Sequence, residues 1–207
     1  RYSVAPARYP AALRQLAKTV ALLRENSEKW HIETDKIIVS GFSAGGHLAE
    51  SLGVFWNTPE LKEITGFDNE MIRPDGMILN YPVITSGEFG HQESFHNLLG
   101  KKYEELKDKM SLEYQVTEDT PKTFIWHTFE DETVLLDNTL RFVQALYKRG
   151  IPVEYHVFPQ GPHGLGLASE LTANENGRGI VRACEPWSEL AGKWLNREFP
   201  WWGGATV

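Results

Sequence analysis

Residues 36–49, Lys36-Ile37-Ile38-Val39-Ser40-Gly41-Phe42-Ser43-Ala44-Gly45-Gly46-His47-Leu48-Ala49, change their period within a few positions. Lys36 to Ser40 is a short apolar, β-branched run, the pattern of a buried strand. From Ala44 to Trp56 the apolar residues Leu48, Leu52 and Phe55 recur at helical spacing. Between the two, Gly41-Phe42-Ser43-Ala44-Gly45 fits G-x-S-x-G, a strand-to-helix turn so tight that only glycine fits two residues to either side of the serine. Such a turn pushes the serine hydroxyl out at the end of the sheet, within reach of other loops.

Outward from this turn the chain alternates strands and helices. On the N-terminal side, Pro10 suits a first helical turn, and Leu13, Leu16, Ala17, Val20 and Leu23 keep one apolar face to about Trp30. On the C-terminal side, Thr58 is placed to cap a short helix through Ile64. Arg73-Pro74-Asp75-Gly76 is a turn, and Met77 to Tyr81 is a buried strand halted by Pro82. Residues 84–120 interrupt the rhythm with polar sequence and short helical pieces around Ser94–Leu99 and Tyr103–Met110; a segment of this kind is expected to lie over a site. The rhythm resumes with a strand Thr123–His127, a helix Asp137–Arg149 stopped by Gly150, a strand Val153–Phe158 and a last helix from Pro186 to about Arg197. Strands alternating with helices imply one α/β domain over 1–207, a mostly parallel sheet with helices on both faces and functional loops at the carboxyl ends of its strands.

Composition narrows the partners. A formal charge of −7 repels nucleic-acid phosphates and anionic lipid. No apolar run is long enough to span a membrane, and no basic segment leads into an apolar one at the N-terminus. The lone Cys184 cannot form an internal disulfide and reads as a small core residue; it fits a reducing compartment or a secreted protein without bridges, and a cytoplasmic location is the expectation.

Three loops at the carboxyl ends of strands carry the residue types that acyl transfer requires. They hold Ser43, then Phe129-Glu130-Asp131-Glu132, then Pro159-Gln160-Gly161-Pro162-His163-Gly164. The order serine, acid, histidine is that of the α/β-hydrolase fold. A serine hydroxyl needs a base to take its proton, a neutral imidazole can serve and later return it to a leaving alcohol, and a buried carboxylate holds the ring in the right tautomer. Ser43 is thus the expected nucleophile, His163 the base and Asp131 the acid. Glu130, Glu132 and Asp137 compete for the last role, but Asp137 reads as the cap of the following helix and the glutamates as solvated loop charges. The backbone N–H of Ala44, at a helix start, is one expected oxyanion donor. His47 reads as a packing residue within reach of Glu50. His127 and His156 read as structural strand residues, while His31, His91 and His96 have no evident partner, the last two being candidates to line the site. No metal-ligand spacing or cofactor motif is present.

These stretches resemble the α/β-hydrolase esterases, in particular the prokaryotic acetyl esterase and acetylxylan esterase-like group. The most specific pieces are Gly41 to Ala49, Trp126 to Val134 and Phe158 to Gly164, and the likeness begins at Tyr2-Ser3-Val4-Ala5-Pro6. The resemblance implies the same roles for Ser43, Asp131 and His163, and small acyl groups, chiefly acetyl, on sugar or xylan hydroxyls. Leu135 and Glu50 depart from the group, which commonly has proline and a small residue there. The resemblance also implies several strands and an HGGG-type loop ahead of Tyr2, supplying the second oxyanion donor. Their absence is expected to leave an open sheet edge beside the elbow strand, suited to pairing with an upstream segment or another copy. The sequence therefore reads as the C-terminal portion of a longer hydrolase. Two other readings share this pattern: a serine peptidase of the prolyl oligopeptidase type, and a hydrolase-fold module that binds without catalysing.

Overall fold

A computed structural model describes residues 6–200, so Tyr2 to Ala5 of the segment quoted above lie outside the described residues. Four strands, β1 (Ile38–Phe42), β2 (Gly76–Asn80), β3 (Thr123–Thr128) and β4 (Val153–Phe158), form one sheet in the order β1-β2-β3-β4. Every pairing is parallel. The helices are α1 (Ala11–Glu25), α2 (Ser27–Trp30), α3 (Ala44–Phe55), α4 (Pro59–Thr65), α5 (Asn69–Ile72), α6 (Gln92–Leu99), α7 (Tyr103–Leu106), α8 (Asp137–Lys148) and α9 (Trp187–Glu198).

Because strand side chains alternate faces, the sheet sorts its apolar residues into two cores. On one face Val39, Met77, Leu79 and Ile125 meet Leu13, Ala17 and Val20 of α1, Leu52 of α3, and Phe142 and Leu146 of α8. On the other, Ile78, Phe124 and Trp126 meet Trp187, Ala191 and Trp194 of α9, with the Trp126 and Trp187 rings stacked at 5.2 Å. β2 and β3 are buried throughout, whereas β1 pairs on one side only among the described residues and leaves Phe42 exposed. This is a parallel α/β arrangement, and the carboxyl ends of all four strands point the same way.

The local rules explain most boundaries. Thr58 accepts the N–H of Leu61 and caps α4, and Gly150 at φ +72° ends the α8 region. The first helix breaks at Asn26 rather than running unbroken to Trp30. Asp137 does not cap α8: Leu136 occupies that position and no side-chain cap forms. Its neighbour Asn138 is the one that ties the region together, its Oδ1 accepting the N–H of Ile84 and Thr85 and its Nδ2 donating to the carbonyls of Phe89 and Leu135. Residues 84–120 contribute Ile84, Phe95, Leu99, Met110, Leu112 and Val116 to the first core, so this segment is packed onto the sheet domain as well as polar outside.

Among the described residues, two buried carboxyls have neither oxygen hydrogen-bonded. Glu50 on α3 is fully buried, and neither of its carboxylate oxygens is hydrogen-bonded. Glu113, in the 3-10 turn packed against α3, is in the same condition. Burial, and secondarily the charge of Glu113, push the Glu50 carboxyl well above the usual glutamate value. The folded chain then keeps a proton that the unfolded chain releases near its ordinary value of about 4.3. This group's contribution is therefore intact below that pH and is lost as pH rises toward the elevated value. Glu50→Gln is expected to melt above the wild type at pH 8, by about 2–4 °C for each kcal/mol regained, with the gap closing toward pH 5. Thermal melts across that range check it; a gap that does not vary with pH would contradict it.

Candidate active site

Ser43 sits at the N-cap of α3 with φ 53° and ψ −121°, a conformation that non-glycine residues rarely hold. The turn closes because Gly41 has no side chain: a Cβ there would lie 2.0 Å from the carbonyl oxygen of Gly45. Gly46 is demanded as well, since its Cβ would meet that of Pro82 at 2.7 Å. The strained turn is held from the side by the exit of β2. The Ser43 N–H donates to Asn80 O (3.0 Å), and Ser43 O accepts the N–H of Val83 (3.1 Å). The buried Asn80 amide donates to Gly41 O at 2.9 Å while its Oδ1 accepts the Trp126 indole N–H at 2.7 Å.

The loops after β3 and β4 meet this turn. His163 Nε2 lies 2.7 Å from Ser43 Oγ, and Nδ1 lies 2.6 Å from Asp131 Oδ2. A carboxylate only accepts, so Nδ1 carries the hydrogen and Nε2 is the bare nitrogen that faces the hydroxyl. Asp131 Oδ1 accepts the backbone N–H of Thr133 (3.0 Å) and Val134 (2.9 Å). Burial alone would raise the Asp131 carboxyl; hydrogen bonds from His127, His163 and Val134 outweigh it and hold the group well below the usual carboxylate range. The His163 loop is pinned at Gly161, whose φ of +126° only glycine tolerates readily. There Thr128 Oγ1 donates to Gly161 O and Glu130 Oε2 accepts the Gly161 N–H. Glu130 is exposed, as a solvated loop charge would be, and in addition anchors this loop. Tyr81, itself at φ 38°, stacks edge-on against the His163 ring at 5.0 Å and accepts the Gly166 N–H at its hydroxyl.

The N–H of Ala44 opens α3 at the foot of Ser43, where the helix dipole favours negative charge. A cavity of about 350 Å³ lies alongside, lined by Ala44, His47, Leu48, Val83, Phe95 and Leu98. Phe95 and Leu98 come from the 84–120 segment. His91 and His96 are not on its wall: His91 pairs with Ser94 Oγ, and His96 stacks on Tyr103. His47 meets the Met110 carbonyl and Ser51 rather than Glu50, and burial pushes its imidazole down to about 4. His156 pairs with Glu154 in its own strand, and Cys184 is buried with its thiol pushed up to about 11 by that burial. Among the described residues no cluster of three or more His, Cys, Asp or Glu is arranged to hold a metal, and no helix is long and apolar enough to cross a membrane.

Comparison with known proteins bears on the family and the fold. Residues 1–146 match the BD-FAE family. The chain is 41% identical over 164 residues to an endo-1,4-beta-xylanase B of Butyrivibrio fibrisolvens, a match covering 76% of this chain and 25% of that protein. It is 28% identical over 156 residues to an acetylxylan esterase of Xylanibacter ruminicola, covering 72% of this chain and 30% of that one. Among solved structures, an acetyl ester-xyloside bifunctional hydrolase from Caldicellulosiruptor lactoaceticus superposes with a TM-score of 0.82 at 38% identity, over 95% of this chain and 69% of its own. The chain thus spans a quarter to about a third of the two curated relatives' lengths.

The Asn80 brace yields a prediction. Asn80→Ala leaves the Trp126 N–H and the Gly41 carbonyl without their partner inside the sheet, which is expected to cost about 2–3 kcal/mol of stability. Urea unfolding of both proteins measures it, and a loss under about half a kcal/mol would show that the elbow does not lean on this side chain.

Proposed function

The chain belongs to the BD-FAE family of α/β-hydrolase esterases, and we propose that it is a serine carboxylesterase working through Ser43, His163 and Asp131, with small acyl esters, chiefly acetyl esters on carbohydrate, as substrates. The observation that carries the reading is the unbroken contact from Ser43 Oγ to His163 Nε2 at 2.7 Å and from His163 Nδ1 to Asp131 Oδ2 at 2.6 Å. The acetyl and carbohydrate part is supported by the relatives: one is an acetylxylan esterase and one solved structure is an acetyl ester-xyloside hydrolase.

The chemistry runs as follows. As Ser43 Oγ bonds to the ester carbonyl carbon, its proton passes to His163 Nε2. The carbonyl oxygen becomes an oxyanion, and the Ala44 N–H with the positive end of α3 behind it stabilises that charge. Collapse of the tetrahedral species expels the alcohol, which takes the proton from Nε2 and leaves Ser43 acylated. Water, giving a proton to the same nitrogen, then bonds to the acyl carbon; the bond to Ser43 Oγ breaks, Oγ takes that proton back, and the acid leaves. Asp131 keeps the ring oriented throughout and balances the imidazolium charge. The cavity beside Ala44 is positioned to receive part of the ester, with residues 94–98 of the 84–120 segment closing one side.

Kinetics on an aryl acetate test the assignment. Asp131→Asn is expected to lower turnover by up to about 10,000-fold, while Glu130→Gln, which keeps an acceptor for the Gly161 N–H, changes it little. Equal losses in both would move the acid role away from Asp131. A fluorophosphonate probe is expected to label the wild type and not Ser43→Ala; a folded protein that resists the probe would favour a module that binds without catalysing.

A further inference from the structure

Asp131 serves two imidazoles. Besides His163, its Oδ2 lies 3.2 Å from Nε2 of His127, a β3 residue with no exposed surface. The same Nε2 is 2.8 Å from the carbonyl of Val134. Both neighbours can only accept, so Nε2 carries the hydrogen and shares it between them. On the far side of the ring, Nδ1 is 3.3 Å from Thr139 Oγ1, and that oxygen is 2.8 Å from the hydroxyl of Tyr155 on β4. Thr139 has one hydroxyl proton, and the Leu136 carbonyl at 3.0 Å competes for it, so the firm part of the line is His127, Asp131, His163 and Ser43, drawn from β3 and the three loops of the site.

The division of labour on Asp131 is specific. Oδ1 is fixed by two backbone N–H groups. Oδ2, the oxygen that His163 uses, has only the two rings. Whatever holds His127 therefore holds the acceptor of the base. We propose that His127 is a positioning residue for this reaction, which locks Asp131 Oδ2 toward His163 and shares that oxygen's negative charge with it. The assignment rests on the esterase reading for its consequence in turnover, though its geometry does not.

The sign of the effect follows. A donor on Oδ2 takes up part of the carboxylate's charge, so less of it favours the protonated form of His163; removing that donor favours the imidazolium more. The other groups facing His163 are Ser43 Oγ and the Tyr81 ring, and those facing His127 are the Val134 carbonyl and Thr139, behind which stands Tyr155; none of them changes in the test. A residue that merely fills space on β3 would alter stability and leave this balance untouched.

The experiment has two arms on the full chain. In the first, ring nitrogen NMR follows the protonation of His163 against pH. His127→Phe is expected to move the midpoint upward by about half a unit or more, and His127→Gln, whose amide can still donate to Oδ2, to return it close to the wild type. His127→Asn, too short to reach Oδ2, should shift it as Phe does and stands in if the Phe variant does not fold. In the second arm, aryl-acetate kinetics should show kcat falling about 10- to 100-fold in the Phe or Asn variant with KM little changed, the scale of one hydrogen bond to a charged group, and recovery in Gln. A midpoint that stays put in the Phe or Asn variant, or a Gln variant no better than either, overturns the proposal. Predicted NMR shifts in a chain whose wild type shows no Ser43-dependent turnover would instead sink the esterase reading and leave the positioning assignment in place.

Discussion

The tight turn at Ser43 is the constraint on which the rest depends. Its φ of 53° is unfavourable for a residue with a side chain, and it holds only because three neighbours remove the alternatives. Gly41 lets the Gly45 carbonyl pass where a Cβ would sit, Gly46 lets Pro82 close against α3, and the Asn80 backbone and amide fasten the turn to the end of β2. A strained element needs an over-determined surrounding. Here that is the exit of β2, one of two central strands that are wholly buried.

From that anchor the other two side chains are placed by loops that are themselves pinned. Asp131 is gripped by the backbone of its own turn at one oxygen and by two imidazoles at the other. The His163 loop is fixed at Gly161 from both sides by Thr128 and Glu130, and at Gly166 by the Tyr81 hydroxyl. The low-lying carboxyl of Asp131 is a consequence of this crowding by donors, which more than offsets its burial. In the proposed reaction, preorganisation of this kind means that little would have to move as charge develops on His163 and on the carbonyl oxygen. Glu50 is the opposite case, a buried carboxyl on the same helix as Ser43 with nothing to receive it.

What the sequence made legible, and what it hid, divides along physical lines. Strong periodicity and turn residues located all four strands and the main helices, because β-branched runs and glycine act locally. The serine, acid and histidine were legible because each follows a strand in an order that a parallel sheet converts into one rim. The partners of these residues were not, because they depend on distances across the sheet. Asn80 looked like the end of an apolar strand, although a lone amide closing such a run was a usable sign of a buried brace. His127 looked like a strand residue satisfied in place; its spacing of four from Asp131 was visible, but in a strand and loop that spacing carries no fixed geometry. Asp137 read as a cap from its position alone, and the backbone turned one residue earlier than the pattern suggested. Short helices such as α5 and the packing of 84–120 into the first core come from tertiary contact, for which a polar-looking sequence offers little signal.

The central claim is that Ser43 becomes covalently acylated, and it can be measured on the chain itself. During turnover of an aryl acetate, acid quenching followed by peptide mass analysis is predicted to find one acetyl group on the peptide that carries Ser43, absent when His163 is replaced by alanine. An acetyl group on a different residue, or turnover with no acylated peptide at all, would contradict the account.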